Sequence, residues 1–514
     1  MVNRETIKDV KQKWFDFSVP VVSSKRVTEM RGSTTFIVFT ISLAVFTDIF
    51  LYGVIVPVIP FAFTQRMGLP EDQVQSSVSK SLAVYSVGLI VGSVTFGYLC
   101  DKMKNRRFSM LTGLLILIAA TIILCLTQSV ALFMVGRVIQ GLSAAVVWTV
   151  GLAVIADTAK PNQVAYLMAF PGIGMNLGTF CGPLVGGIVY DRAGYYPVFY
   201  VCFGILVVDV VLRLLMIEKR QLPDKLKKFE SDGVSQNVEL HSSSARSRSN
   251  AVLSDSSSED PERQANTGTE GQIEPEEEEI KTTPTSYNIH SVDTLFGFRI
   301  FPALGLLKHS AVLITLFQSL LMAWIMTSFE STMTIHLHDL FNFTSLGAAL
   351  MFLALAVPSF VEPLVGKLSD KFGPRWIVSL GFVFLTPMLI ILRLPNEDSV
   401  NHIVLFAALV ALVGLGLTLI FAPVMGELSN VVAAIEEHNP GKFGPGKGYG
   451  QAYGLFNVAF SLGSLIGPFH AGGVFENQGW AMTVLSLGIV TAISVIPSVL
   501  FTGGNLLYKA KNRT

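Results

Sequence analysis

The chain has 514 residues, 51 % of them hydrophobic and only 14 % charged, with 37 basic side chains balanced by 37 acidic ones. Soluble proteins carry about a quarter charged residues, so this composition excludes an ordinary water-soluble domain and fits a chain that crosses a bilayer repeatedly. The zero net charge removes the basic footprint expected of a nucleic-acid partner.

The first 34 residues are polar, and seven Lys/Arg lie between Met1 and Arg31. No apolar core precedes residue 35, so a cleavable signal peptide is not expected and the first apolar run must direct insertion. Twelve runs are long enough to span, at about 20 residues each: 35–56, 82–100, 109–126, 132–155, 164–189, 196–217, 312–334, 345–366, 376–393, 403–426, 451–474 and 480–503. With the N-terminus inside, 31 of the 37 Lys/Arg fall on inner segments and 4 on outer loops. This bias predicts cytosolic termini. Cys100, Cys125, Cys181 and Cys202 lie in or at the ends of apolar runs, which predicts buried thiols and no disulfide framework.

The fifth run carries glycines at 174, 178, 182 and 186, followed by Gly187, with Pro183 among them. A four-residue spacing places the glycines on one helix face, where another helix can approach closely. Proline removes a backbone donor and is expected to bend the helix. The Gly-x-x-x-Gly-Pro core returns 285 residues later as Gly463, Gly467 and Pro468. Glycine-mediated packing alone explains one copy; two copies suggest a hinge that lets two halves rock about a shared site.

Between the sixth and seventh runs, residues 218–311 contain a serine-rich stretch (Ser242 to Ser249) and an acidic run (Glu274 to Glu279). The segment is too polar to bury a core and is expected to be a disordered tether, with phosphorylation control as the functional alternative. It separates two expected six-helix bundles, 35–217 and 312–503, followed by a short tail, 504–514. The loops repeat as well. Gly97, Asp101, Arg106 and Arg107 follow the second run, and Gly366, Asp370 and Arg375 follow the eighth, with Gly, Asp and the first Arg each 269 residues apart. This is an internal duplication.

These motifs carry a resemblance. Gly97-x-x-x-Asp101 with trailing arginines resembles the cytoplasmic signature of the major facilitator superfamily, and Arg137-Val-Ile-Gln140-Gly141 looks like its second signature. The Gly182-Pro183 run resembles the signature of the superfamily's proton-coupled antiporters. A narrower likeness, to vesicular amine transporters and nearby fungal drug/proton antiporters, rests on Phe46-Thr-Asp48, Phe329-Glu330, Pro423-Val-Met-Gly426 and the Tyr453-to-Gly463 run. The vesicular transporters carry aspartates where this chain has Asn430 and Asn457, so monoamine as substrate is not carried over. The resemblance implies an all-α membrane protein of twelve helices in two pseudo-symmetric six-helix bundles. It also implies alternating access, a small organic substrate exchanged for protons, no cofactor, and function as a monomer in the lipid bilayer.

Charged side chains inside lipid cost at least ~2.5–3.5 kcal/mol each on insertion scales and need a reason. Asp48 in the first run and Glu330 in the seventh are the candidates for proton and substrate binding, with structural hydrogen bonding as the alternative. Arg137 stays charged and either tunes a neighbouring acid or forms a buried ion pair. Asp209 and Arg213 are four apart on one helix face and are expected to neutralise each other. Glu362 and Glu427 are expected to be hydrated or paired with Lys367 or the loops. By resemblance, Asp101, Arg106 and Arg107 form a lock between the halves, with Asp370 and Arg375 as the weaker copy. Trp148, Tyr166, Asn176, Gln318, Trp324 and Asn457 are candidate cavity residues, since an aromatic or a lone polar tip suits an amphipathic ligand. Asn342-Phe-Thr344 is a glycosylation sequon in an expected outer loop.

No phosphate-binding Gly-x-x-x-x-Gly-Lys-Ser/Thr loop and no clustered His/Cys metal site is present in the sequence, so neither an enzyme nor a metal or cofactor is expected. The reading is a secondary transporter that exports a small organic molecule by proton antiport. A facilitator or symporter is the alternative within transport, and a receptor signalling through the central loop the alternative outside it. The plasma membrane and a vacuolar or vesicular membrane remain equally open as locations.

Overall fold

The computed structural model describes residues 25–218, 287, 303–504 and 506, apart from 104, 161, 344, 442 and 445. The serine-rich and acidic stretches of the central loop, and most of both tails, lie outside the described residues. Within them the chain is helical, because a backbone in lipid must satisfy its own N–H and C=O groups. The membrane helices are α1 (Thr34–Ile55), α2 (Glu71–Lys102), α3 (Arg106–Leu126), α4 (Val130–Thr158), α5 (Val164–Ala193), α6 (Tyr195–Leu215), α7 (Ser310–Phe341), α8 (Leu350–Phe372), α9 (Pro374–Ile391) and α10 (Val400–His438). The last helical stretch, Tyr449–Phe501, has 53 residues. At about 1.5 Å per residue it is more than twice as long as the hydrocarbon is thick. It breaks at Gly479, where φ is 78°, giving α11 (449–478) and α12 (480–501) and twelve crossings among the described residues.

Local chemistry sets the ends. The Ser33 hydroxyl accepts from the Phe36 N–H at 3.2 Å, and the Asn105 side chain accepts from the Phe108 N–H at 3.3 Å, capping α1 and α3. Gly194 (φ 88°) and Gly373 (φ 86°) make the left-handed turns from α5 to α6 and from α8 to α9. Asn342 closes α7 at φ 52° and is exposed; Thr344 of its sequon lies outside the described residues. The helix ends adjoining the described parts of both chain tails and of the central loop lie on one face of the bundle, here called the terminal face.

The two halves are built alike. In the first, α5 lies along α1; in the second, α11 lies along α7. The glycine ladder makes both seams. Methyl groups on Gly178, Gly182 and Gly186 would press on the Phe46, Phe50 and Val54 carbonyls of α1, and one on Gly463 on the Leu320 carbonyl of α7. The ladder is packed inside one half, α5 runs unbroken through Pro171 and Pro183, and Pro183 rests on Gly53. A methyl group on Gly187 would meet nothing within 4 Å, so this glycine takes no part in the seam.

Buried charge ties the helix ends together. Arg213 holds Asp209 through two bonds of 2.9 and 2.7 Å and donates to the Met110 carbonyl at 3.0 Å, joining α6 to α3. Arg107 donates to the Leu214 carbonyl at the end of α6, and Arg375 to the Thr502 carbonyl beyond α12 at 2.6 Å. A cation at a helix C-terminus meets the negative end of the dipole.

Overpacking a closed seam costs about 1–3 kcal/mol. Gly186→Leu is therefore expected to lower the melting temperature of the purified protein by several degrees and to reduce its monodisperse yield. Gly187→Leu, one position along, is expected to leave both unchanged.

Candidate functional site

At the terminal face the two halves meet through a pair of aspartates. Asp101, at the end of α2, accepts from the backbone N–H groups of Gly450 and Gln451, both at 2.9 Å, and from the Gln451 amide at 3.1 Å. These donors belong to the first turn of α11, where backbone N–H groups have no partner within the helix. Asp370, at the end of α8, does the same for α5, accepting from Ala165 N–H at 3.0 Å and Tyr166 N–H at 2.8 Å. Each carboxylate thus caps a helix of the opposite half and meets its positive end. Arg106 pairs with Asp157 and Asp101 and donates to the Gly446 carbonyl at 3.0 Å. Close glycine contacts complete the seal: a methyl on Gly97 would lie 2.8 Å from the Gly450 carbonyl oxygen, and one on Gly366 would overlap the Ala165 backbone.

Beyond this seal, two adjoining pockets open between α5 of the first half and α7, α8 and α10 of the second. The upper one is lined by Asn176, Phe180, Met326, Glu330 and Phe352, the lower by Asn176, Met322, Met326, Glu362, Thr418 and Phe421. Glu330 lines the upper pocket and is exposed. Asn176 faces both pockets and donates to the Gly172 carbonyl at 3.1 Å. The walls are apolar and sulfur-rich with a few polar groups.

Beside the cavity, Asp48 on α1 is fully buried and neither carboxylate oxygen has a hydrogen bond of good geometry. Trp148 is a polar neighbour on α4, set on a widened turn at Val147–Gly151. Arg137, also fully buried, donates to Gln140 at 2.8 Å, and its guanidinium stands over Tyr52 at 4.8 Å and Tyr85 at 5.1 Å. Among the described residues no carboxylate pairs with it directly. It is held by two aromatic faces, a desolvated cation–π arrangement. Asp48 lies within electrostatic range of both Arg213 and Arg137, and Tyr52 lies near Glu330 of the other half.

The family model of the Major Facilitator Superfamily matches residues 41–437. The chain belongs to the major facilitator superfamily. It is 34 % identical over 463 residues, 90 % of this chain and 94 % of the other, to the uncharacterized MFS-type transporter C18.02 of Schizosaccharomyces pombe. A stretch of 183 residues, 35 % of this chain and 34 % of that protein, is 30 % identical to the drug efflux pump JefA of Mycobacterium tuberculosis. The crystal structure of the human organic anion transporter MFSD10 (TETRAN) superposes with a TM-score of 0.57 at 16 % identity, covering 90 % of this chain and 99 % of that one. The protein is therefore a major facilitator transporter and not an enzyme.

Within this transporter the expected site residues divide. Asn176 and Glu330 line the cavity. Gln318 does not: its amide donates to Ser498 at 3.0 Å and Thr502 at 2.8 Å, joining α7 to α12. Trp324 donates to His470 at 3.2 Å. Asn457 is buried on α11 with its amide nitrogen unpartnered. Tyr166 packs edge-on against Phe170 below the cavity. Trp148 is buried in the core. Of the expected lock, Asp101, Arg106 and Asp370 bridge the halves, whereas Arg107 and Arg375 bind helix ends within their own half. Glu427 is paired, accepting from Gly503 N–H at 2.8 Å and the Tyr287 hydroxyl at 2.9 Å, whereas Glu362 is buried with no protein partner among the described residues. Sequence reasoning missed Tyr52, Tyr85, Gln451 and Asp157. Only Tyr52 carried a signal, one turn after Asp48 on the same helix face.

Removing a cap costs about 1 kcal/mol, or roughly fivefold in local opening. Asp370→Asn is expected to speed hydrogen exchange at Ala165 and Tyr166 by roughly that factor, and Asp101→Asn at Gly450 and Gln451. Each variant leaves the other seam's amides unchanged, because the two contacts share no partner.

Proposed function

We propose that this transporter exports a small, partly apolar organic molecule in exchange for protons, by alternating access, with the terminal face in the cytosol. The observation that carries the reading is the pairing of a sealed terminal face with a cavity at the half-to-half interface that holds acids. A cavity between the halves, closed off at the terminal face by polar contacts at helix ends that can part, is what an alternating carrier needs. Glu330 meets a cationic group of the substrate or a proton. Asp48, close to Arg137 but not bonded to it, exchanges a proton as the local field changes. The aromatic clamp on Arg137 fixes that field while Tyr52 links it to Glu330. The Gly182-Pro183 pattern and the partial likeness to an efflux pump support the outward direction, and the Lys/Arg distribution supports the cytosolic assignment.

The test is flux in proteoliposomes under an imposed pH gradient, with a panel of lipophilic cations and organic anions. Wild type is expected to drive at least one panel member uphill against the proton flow. Asp48→Asn is expected to lose uphill exchange by roughly tenfold or more, equivalent to at least about 1.4 kcal/mol of coupling. Gradient-independent flux that survives Asp48→Asn would make the protein a facilitator and overturn the antiport reading.

A further inference from the structure

Glu362 sits on α8, about two turns before Asp370 on the same helix. It is 1 % exposed, and neither carboxylate oxygen has a hydrogen-bond partner. It lines the lower pocket beside Asn176, Thr418 and Phe421. Across the seam it lies against Gly172 of α5, so closely that a methyl group built there would overlap both oxygens. The acid therefore occupies the place where the cavity ends and the sealed α5–α8 contact begins.

Among the described residues no charged side chain faces it. From Val164 to Asn176, α5 offers only the Tyr166 ring among titratable groups. From Gly414 to Glu427, α10 offers only Glu427, which is engaged by Gly503 and Tyr287. On α8 itself Lys367 and Lys371 are exposed, and Asp370 is on the α5 amides. Glu330 of α7 serves the upper pocket. Arg375, at the start of α9, is bound to the carbonyls of Thr502 and Gly503. An ionised carboxylate buried without a charged or hydrogen-bonding protein partner is strongly disfavoured, whereas the neutral acid fits.

We propose that Glu362 is a proton-binding site of the transporter, and that its protonation is what permits α5 and α8 to close at the terminal face. With the seam open, a proton adds to a carboxylate oxygen, and the neutral acid then lies against Gly172 with the Asp370 cap made. Opening of the seam brings water to the carboxyl group, the proton passes to that water on the terminal side, and the resulting anion opposes reclosure. The site thus links proton occupancy to one of the two half-to-half seams. The inference rests on the proton-coupled reading above, and it adds a group which that reading did not use.

The experiment uses the full chain in lipid nanodiscs, with Cys100, Cys125, Cys181 and Cys202 replaced and spin labels at Asn162→Cys and Lys371→Cys. Both label positions are exposed near the terminal ends of α5 and α8. Pulsed distance measurements across a pH titration read the closed and open populations. In the otherwise wild-type protein the closed-to-open ratio is expected to fall about tenfold per pH unit above its midpoint, the slope of one coupled proton. Glu362→Gln is expected to stay closed at every pH, and Glu362→Asp to keep a titration. Glu362→Leu, which removes the polar group altogether, is expected to match Glu362→Gln and guards against a folding artefact in either variant. A Glu362→Gln protein that titrates like wild type overturns the proposal while leaving antiport intact. A wild-type ratio that ignores pH overturns both the proposal and the proton-coupled reading beneath it.

Discussion

Two carboxylates that cap helices of the opposite half hold the molecule in its observed form. Asp101 on the first turn of α11 and Asp370 on the first turn of α5 each satisfy two backbone N–H groups that no helix can satisfy for itself. The contact is charge-assisted, directional and short-ranged, so it exists only when the two halves are in register. It is also local. The two seams share no hydrogen-bond partner.

Those caps are possible only because the backbones come close. Gly97 against Gly450 and Gly366 against Ala165 bring α2 to α11 and α8 to α5 at backbone distance. The same residue type does different work inside each half, where the ladder on α5 lies on α1 and its copy on α11 lies on α7. In lipid, where apolar helices gain little by leaving the solvent, such close packing supplies most of the association energy. The rigid units are thus α1 with α5 and α7 with α11, and the seams between units lie at the terminal ends of α2 with α11 and α5 with α8. Helices α5 and α11 belong to both kinds of contact, and α5 also lines the cavity.

Charge is distributed in keeping with that arrangement. The Asp209 and Arg213 pair is fully bonded. Other buried charges are not. Asp48, Arg137 and Glu362 are all buried with polar atoms left over. Unsatisfied buried charge is costly, and a fold retains it where the charge changes state or meets a ligand.

The sequence by itself determined the membrane class, the number of crossings, the duplicated halves and the identity of the two capping aspartates. Each of these depends on local hydropathy or on a spacing that survives duplication. It also marked Glu330 and Asn176, because a polar residue in an apolar helix stands out. Only the tertiary structure decided partners. Arg107 and Arg375 share a motif with the lock but bind helix ends, since the direction of a long side chain is set by which carbonyl lies free nearby. Gln318 looks like a cavity residue but faces α12, because a few residues' difference in helix phase separates the cavity from the outer packing. Glu362 looks like a hydrated acid near a helix end, yet α5 covers it. Hydropathy is summed along one helix, whereas burial is fixed by what another helix lays on top.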